Sequence, residues 1–546
     1  MKNEEIGFPG EKEISRRSFL QGAAAISAAG VVGFVASPTQ EAQAAETPPW
    51  LPTEWADEAD VIVVGIGGAG LGAAIEGIDK GLGDILVLEA APEHEAGGNS
   101  RVCGQLLCIP RSPEAAVTYQ SALNGYYTVE PELLKAWADE ICKNKEWLEG
   151  MDISIQETAM ASPEHPDKPG SDQIQDYLPG GQLGFEVVWQ QLLENALQKG
   201  AKIEYGVRVM KLIQNPLTKE ILGVTSENGD NYKARKGVIL ACGGFENNQK
   251  MLNDYFRGTA STVLFIGTPY NRGDGIHMAQ SVGADLWHMN NYAGMGLSLR
   301  GKSPDNSLAT YIGFRKHDYI FVGPNGNRFV YEEHCWLTRH GYISLAGGND
   351  INSIPFNTWV VFGKESIEGG LNTNTFPPCG WLSLIETPPS SDPKDFITNG
   401  IIVSADTPRE LASKIGVDPD GLEKTLATYA EFVANNQDLD YGKGRPLYNP
   451  GEEEPAVPAF DLVPIEPPYY AAELCHTLLN TQGGPRRGVN GEVIDTEGKP
   501  IPRLYAAGEL GPVYSFLYNG GGNFSEALSS GRIAVRHAGA QTDWVV

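Results

Sequence analysis

The 546 residues carry a formal net charge of −28 at pH 7, with 41% hydrophobic and 20% charged side chains and 65 glycines. At roughly 150 residues per unit that length allows about two to four structural units and the burial of a large cofactor. The composition excludes a disordered or fibrous chain, and the acidic surface excludes nucleic acid and anionic membranes, which attract basic patches, as partners.

The first segment reads as an address. Ser15-Arg16-Arg17-Ser18-Phe19-Leu20 precedes an apolar stretch from Gly22 to Ala36 and a small-x-small site at Ala42-Gln43-Ala44. That order predicts a signal peptide over residues 1–45, and the stretch is shorter than the ~20 residues a membrane span needs. Stable membrane insertion is not expected. The paired arginines before Phe and Leu resemble the twin-arginine export signal, whose pathway carries folded proteins, so the mature chain is expected outside the cytoplasmic membrane.

Next comes Asp60-Val61-Ile62-Val63-Val64, a continuous apolar strand, followed directly by Gly65-Ile66-Gly67-Gly68-Ala69-Gly70. A small-residue helix is predicted from about Ala69 to Lys80, stopped by Gly81, and a second buried strand over Asp84–Leu88 ends at Glu89. Strand, glycine turn, helix, strand and acid form the dinucleotide fingerprint in its required context. Gly65, Gly67, Gly68, Ala69 and Gly70 let the backbone approach a pyrophosphate, the helix start stabilises its charge, and Glu89 can accept from the adenosine ribose. A second cluster, Gly97-Gly98-Asn99-Ser100, favours FAD over NAD, since Gly98, Asn99 and Ser100 can face the ribityl chain and flavin.

Another buried strand, Val238 to Ala241, runs into Cys242-Gly243-Gly244. Residues 290–480 lack regular alternation and are read as a separate cap. Within it Thr407-Pro408-Arg409-Glu410 predicts a capped helix start, and a second helix is expected over Pro419–Asn435. Leu504 to Glu509 returns to strand-then-glycine character, and Asn523 with Glu526 predicts a capping box for a last helix containing Gly531-Arg532-Ile533-Ala534. The seven cysteines are scattered, without CxxC or CxxCH, which predicts thiols with room for one disulfide and no attached haem. Cys475-His476 has no second ligand pair, so no metal is expected.

The order GIGGAG, GGNS, ACGGF, GDGI, AAGE and GGGN resembles the flavoprotein family that includes fumarate reductases and 3-ketosteroid dehydrogenases. This resemblance implies an α/β chain with a discontinuous Rossmann-like FAD-binding domain, residues 46–289 and 481–546, and an inserted α+β capping domain, 290–480. It implies FAD contacts at Ala241, Gly243, Asp274 and Asn523, a ribityl ligand in Glu509, and a last helix whose start faces the N1/O2 edge of the flavin. His94 lacks the threonine that follows the flavin-linked histidine of covalent members, so non-covalent FAD is expected.

The substrate residues of the fumarate reductases do not carry over. Aligned through the motifs, their catalytic arginine falls on Trp336, a second arginine on Asn519, and two histidines on Met295 and Asn480. A dicarboxylate thus loses most of its clamps. Candidates for the lost acid are Arg339, with His340 as a relay, and Tyr518, which resembles the tyrosine before the glycine run of ketosteroid dehydrogenases. Trp336, Tyr292 and Trp287 are candidates for an apolar pocket, or for ordinary core packing.

The leading expectation is an enzyme reducing an activated C=C bond in an enone or enoate, such as a steroid or phenolic acid, by hydride from flavin N5. Its electrons are expected from a separate redox protein or a quinol oxidase. The alternatives are a ketosteroid-type dehydrogenase running the other way, and a non-enzymatic flavin relay.

Overall fold

The computed structural model describes residues 48–158, 163–181, 186–256, 263–300, 309–310, 313–314, 316–333, 357–372, 380–381, 384, 393–448, 453–455 and 457–545. Two apolar runs start the architecture. Strand β1 (Asp57–Val64) is followed by helix α1 (Gly68–Asp79) and strand β2 (Ile85–Glu89), every residue of which is buried. Burial on both faces is why Val61–Val64 of β1 and Ile85–Leu88 of β2 are continuously hydrophobic rather than alternating.

Strands β3 (Lys202–Tyr205), β4 (Val209–Gln214), β5 (Ile221–Ser226) and β6 (Asn231–Leu240) extend the same sheet. After it come β7 (Val263–Phe265), α2 (Asp274–Ser281), β8 (Tyr292–Arg300), β9 (Ala309–Thr310), β10 (Tyr319–Val322), β11 (Thr358–Phe362) and β12 (Ile402–Ala405). Helices α3 (Pro408–Ile415) and α4 (Pro419–Ala434) precede β13 (Tyr469–Thr481), and the chain closes with β14 (Glu492–Ile494), β15 (Pro500–Ala506) and α5 (Gly522–Gly539).

The first sheet runs β14-β15-β6-β1-β2-β3, with β4 and β5 attached beside β6. The pairings of β15, β6, β1, β2 and β3 are parallel. Strand β1 has its sequence neighbour β2 on one side and the distant β6 on the other, so the strand order reverses there. Ligands of open α/β sheets bind at the carboxyl ends beside such a reversal. The strand ends are level, Val64 opposite both Leu88 and Leu240, and Leu240 opposite Ala506.

Helices α1 and α5 pack against each other because glycine lets their backbones approach. A Cβ on Gly72 would lie 2.8 Å from the Leu528 carbonyl oxygen, and one on Gly531 would collide with the Ala69 carbonyl.

The second sheet, ordered β9-β8-β13-β11-β10 with β7 and β12 also on β13, is built around the long β13. It takes in Val263–Phe265, a strand that a division at residue 290 leaves with the nucleotide-binding part, because β7 pairs in parallel with His476–Leu478. Both cap helices start as their sequences predict: Thr407 Oγ1 accepts the Glu410 N–H at 3.2 Å, and Asp418 Oδ2 accepts the Gly421 N–H at 3.0 Å. Their apolar faces bury Leu411, Ile415, Leu422, Leu426 and Phe432 against Ile320, Val322 and Val361. Beside them Arg328 makes two 2.9 Å bonds to Glu332 and a third to Asp438. All three residues are buried, so this ion network is kept by pairing rather than by water.

The expected capping box on α5 is not formed. Gly521, at φ 79, brings the chain into the helix with no side-chain cap. Asn523 Nδ2 donates instead to Asn480 Oδ1 at 2.7 Å, and Glu526 accepts from Arg487 at 2.7 Å. A buried guanidinium is a stronger partner for Glu526 than a backbone N–H.

Candidate functional site

The cofactor cleft is made by the turn after β1. Gly65 has φ 102, and a Cβ there would lie 2.5 Å from the Ala241 carbonyl oxygen; a Cβ on Gly70 would collide with the Gly65 carbonyl. Only glycine permits this turn. It delivers the start of α1 to the level of the strand ends, with no acid in the first turn and with the Gly68 N–H donating to Ser100 Oγ at 2.8 Å. A helix start of this kind favours an anion.

At the end of β2, Glu89 is buried and accepts from Ile66 N at 2.9 Å and Ala91 N at 2.8 Å. Burial raises its pKa, and these N–H groups work against the rise.

Gly65, Gly67, Gly68, Ala69, Glu89, Gly98, Asn99, Ser100, Ala241, Gly243, Asp274 and Glu509 line one cleft of about 780 Å³. Gly70 does not line it and serves the turn; Asn523 lines a neighbouring cavity. His94 is exposed and stands outside the cleft. Asp274 is held by Arg208, which the sequence reading missed, through two bonds of 2.8 Å. Nothing in its local sequence, Val207-Arg208-Val209 at the entry to β4, marks Arg208 as a site residue.

The reading also missed Glu246, next after the ACGGF motif. Glu246 and Glu509 are held by the same two amides. Asn99 Nδ2 donates to Glu246 Oε1 at 2.7 Å and to Glu509 at 3.1 and 3.2 Å, and Asn271 Nδ2 donates to Glu246 Oε1 at 2.7 Å and to Glu509 Oε2 at 3.1 Å. Asn99 Oδ1 accepts the Thr268 N–H at 2.9 Å, which turns the NH₂ toward the carboxyls. Asn99 is therefore committed to the protein as well as exposed to the cleft.

A second cavity, of about 950 Å³, adjoins the first and shares Asn99, Ser100, Glu509 and Ala527 with it. Val102, Leu106, Ile266, Leu479 and Phe524 supply its apolar wall, and Cys103, Gln105, Asn480, Tyr518 and Asn523 its polar groups. Among the described residues no Lys, Arg or His lines it.

Tyr518 is buried, and its hydroxyl accepts the Asn523 N–H, in the first turn of α5, at 3.1 Å. Burial drives its pKa up while this N–H draws it down, and burial wins. The group remains a phenol, a hydrogen-bond donor, at neutral pH.

Behind Tyr518, its carbonyl bonds His165 Nε2 at 3.2 Å. Asn519 Oδ1 accepts from Tyr119 Oη at 2.8 Å and from Glu164 N at 3.0 Å. Asn519 thus anchors the loop and does not line either cavity.

Trp287 and Tyr292 are core residues: Trp287 stacks on His288 at 4.1 Å between centroids, and Tyr292 packs edge-on to Phe256 at 5.5 Å. Neither lines the second cavity. Trp336, Arg339 and His340 lie outside the described residues.

The first cleft fits an FAD on its own geometry. At Gly98, with φ 59, a Cβ would meet no protein atom within 4 Å, so the space beside this strained turn is open cleft. Backbone N–H groups at a helix start suit a diphosphate, the Glu89 carboxyl suits ribose hydroxyls, and the adjoining cavity gives the ring a substrate side.

Comparison with known proteins agrees. Residues 60–525 match the model of the FAD binding domain family, and residues 13–33 match the twin-arginine translocation pathway signal sequence. A 3-oxosteroid 1-dehydrogenase of Mycobacterium tuberculosis is 29% identical over 89% of this chain and 99% of its own. A digoxin reductase of Eggerthella lenta is 27% identical over 98% of both. The crystal structure of a 3-ketosteroid delta1-dehydrogenase from Sterolibacterium denitrificans, in complex with 1,4-androstadiene-3,17-dione, covers 88% of this chain and 99% of its own. With a TM-score of 0.69 at 22% identity it shows the shared fold.

Proposed function

The chain belongs to this FAD-binding family as an FAD-dependent oxidoreductase exported across the cytoplasmic membrane, and on that premise we propose that it reduces an activated C=C bond, conjugated to a carbonyl, in a compound larger and less charged than fumarate. One observation carries the reading. The Tyr518 hydroxyl, itself held by the first turn of α5, lines a cavity that adjoins the cofactor cleft and has no cationic lining among the described residues.

The N–H groups at the start of α1 would hold the diphosphate of FAD and Glu89 its ribose, with Gly98, Ser100 and Glu509 further along the cleft, and the cofactor so held would supply the hydride. Tyr518 binds the substrate carbonyl oxygen as a donor, so negative charge developing on that oxygen as hydride reaches the β-carbon meets a phenol polarised by a helix start. Apolar side chains such as Leu106, Ile266 and Phe524 exclude water and hold the ring or chain of the substrate. Asn480 and Asn523 offer neutral amides where a dicarboxylate needs cations. Arg339, with His340, is the candidate source of the proton for the second carbon. The electrons come from a separate redox protein or a quinol oxidase.

The dehydrogenase direction uses the same contacts in reverse, and the end-to-end likeness to a 3-oxosteroid 1-dehydrogenase favours keeping it as the second reading. The test is anaerobic reoxidation of the dithionite-reduced holoprotein by neutral enones, mono-enoates and fumarate. Neutral enones should reoxidise the flavin fastest; fumarate outpacing all of them would end the proposal, and oxidation of the saturated ketones alone would favour the second reading.

A further inference from the structure

Glu246 is fully buried, lies behind the cofactor cleft rather than in it, and so far has no task. Its neighbour Glu509 reaches both cavities. Every side-chain hydrogen-bond partner of the two carboxyls among the described residues is neutral: Asn99, Asn271 and, at 3.4 Å from Glu246 Oε2, the Thr481 hydroxyl.

Other charges nearby are already engaged. Glu526, which faces Glu509 from α5, is paired with Arg487; Asp274 is paired with Arg208; and the Glu89 carboxyl takes backbone N–H groups. With Glu246 out of water and no cation among their described side-chain partners, two carboxylates that share donors do not both stay ionised.

Three glycines make this arrangement possible. A Cβ on Gly243 would run into the Asn271 side chain, one on Gly244 into Thr481 Oγ1 and Glu246 Oε2, and one on Gly267 into Asn99. The backbone is thus shaped around the two carboxyls and their amides.

Resting on the FAD reading above, we propose that Glu246 is a positioning residue acting on the cofactor through Glu509: the two carboxyls hold one proton between them and take up a second when the bound cofactor is reduced. Two electrons from an external donor and one proton enter the cofactor, which gains one negative charge. The other proton passes from solvent to the carboxyl pair, which loses one. The pair thereby offsets the charge that reduction places beside it. Burial raises the pKa of both groups, and for Glu509 the nearby Glu246 charge adds to the rise.

The test is the midpoint potential of the holoprotein, titrated anaerobically with dithionite and dyes over a neutral to alkaline range. Each proton taken up with two electrons moves the midpoint by about 30 mV per tenfold change in proton concentration. The wild type should fall by about 60 mV per pH unit, the Glu246→Gln/Glu509→Gln double variant by about 30 mV, and Glu246→Asp should keep the steeper slope. A wild-type slope of one proton, or a double-variant slope equal to the wild type, overturns the inference.

Should the double variant not hold flavin, proton uptake by the unbuffered wild type on reduction decides. Two protons are expected with the reduced ring still anionic by its absorbance, and one proton overturns the inference. Protein that binds no flavin at all would instead sink the cofactor reading itself.

Discussion

Replacing Tyr518 by Phe removes one oxygen from a buried site and keeps the ring in place. That oxygen accepts the Asn523 N–H at 3.1 Å, one of the helix-start donors without an intrahelical partner. Leaving the N–H without an acceptor costs about 1–3 kcal/mol of stability. The loss to chemistry is separate. Removing one donor to a developing oxyanion lowers kcat by about 10²–10³, with KM changed far less because the apolar wall still binds the substrate. Stopped-flow reoxidation of the reduced protein by a saturating neutral enone measures the loss to chemistry, and thermal unfolding of the same preparation the loss of stability. Flavin absorbance should match the wild type, since Tyr518 lines the second cavity and not the cofactor cleft. A flavin-loaded, folded variant that reacts within about tenfold of the wild type would refute Tyr518 as the carbonyl donor.

Gly70→Ala should lose flavin, because its Cβ collides with the Gly65 carbonyl and opens the turn; a yellow protein after gel filtration would contradict this. Arg328→Met takes the guanidinium out of the buried cap network and leaves Glu332 and Asp438 to Lys443 and backbone N–H groups, at a cost of about 3–5 kcal/mol in urea unfolding. Acid should weaken the fold through Glu140. Its pKa is raised by burial but lowered more by Arg536 and Arg532, with a net decrease. Its contribution is therefore present above the unfolded carboxylate value and lost as pH falls through the depressed folded one. Glu140→Gln should flatten that acid limb of the stability curve, and an unchanged limb would argue against it.

The legible parts of the sequence are those set by local physics. Two-sided burial writes β1 and β2 as apolar runs, the turn between β1 and α1 needs glycine where the backbones meet, and the cap helices show their caps. What stays hidden depends on distant partners. Nothing near Glu246 names Glu509, which lies far along the chain and is reached through Asn99 and Asn271. The same is true of Arg208, whose partner sits at the start of α2, and of β7, whose assignment depends on pairing with the late strand β13. The capping box predicted at Asn523 failed for a related reason, since Asn480 and Arg487 are stronger claims on its two side chains than a local N–H.

The same separation bears on export. The cofactor cleft is lined from Val64 through Asn271 to Ala527, and β1 sits beside β6, which in turn carries β15 near the end of the chain. Helix α5 closes on α1 through Gly72 and Gly531. No early part of the chain can therefore hold an FAD by itself; the site exists only after the last helix has docked. Loops this long close slowly, and a chain threaded across a membrane unfolded would have to complete them where FAD must be supplied from elsewhere. A twin-arginine signal, read at residues 13–33, removes that difficulty by sending the chain across already folded. The signal and the discontinuous cofactor site thus answer the same constraint.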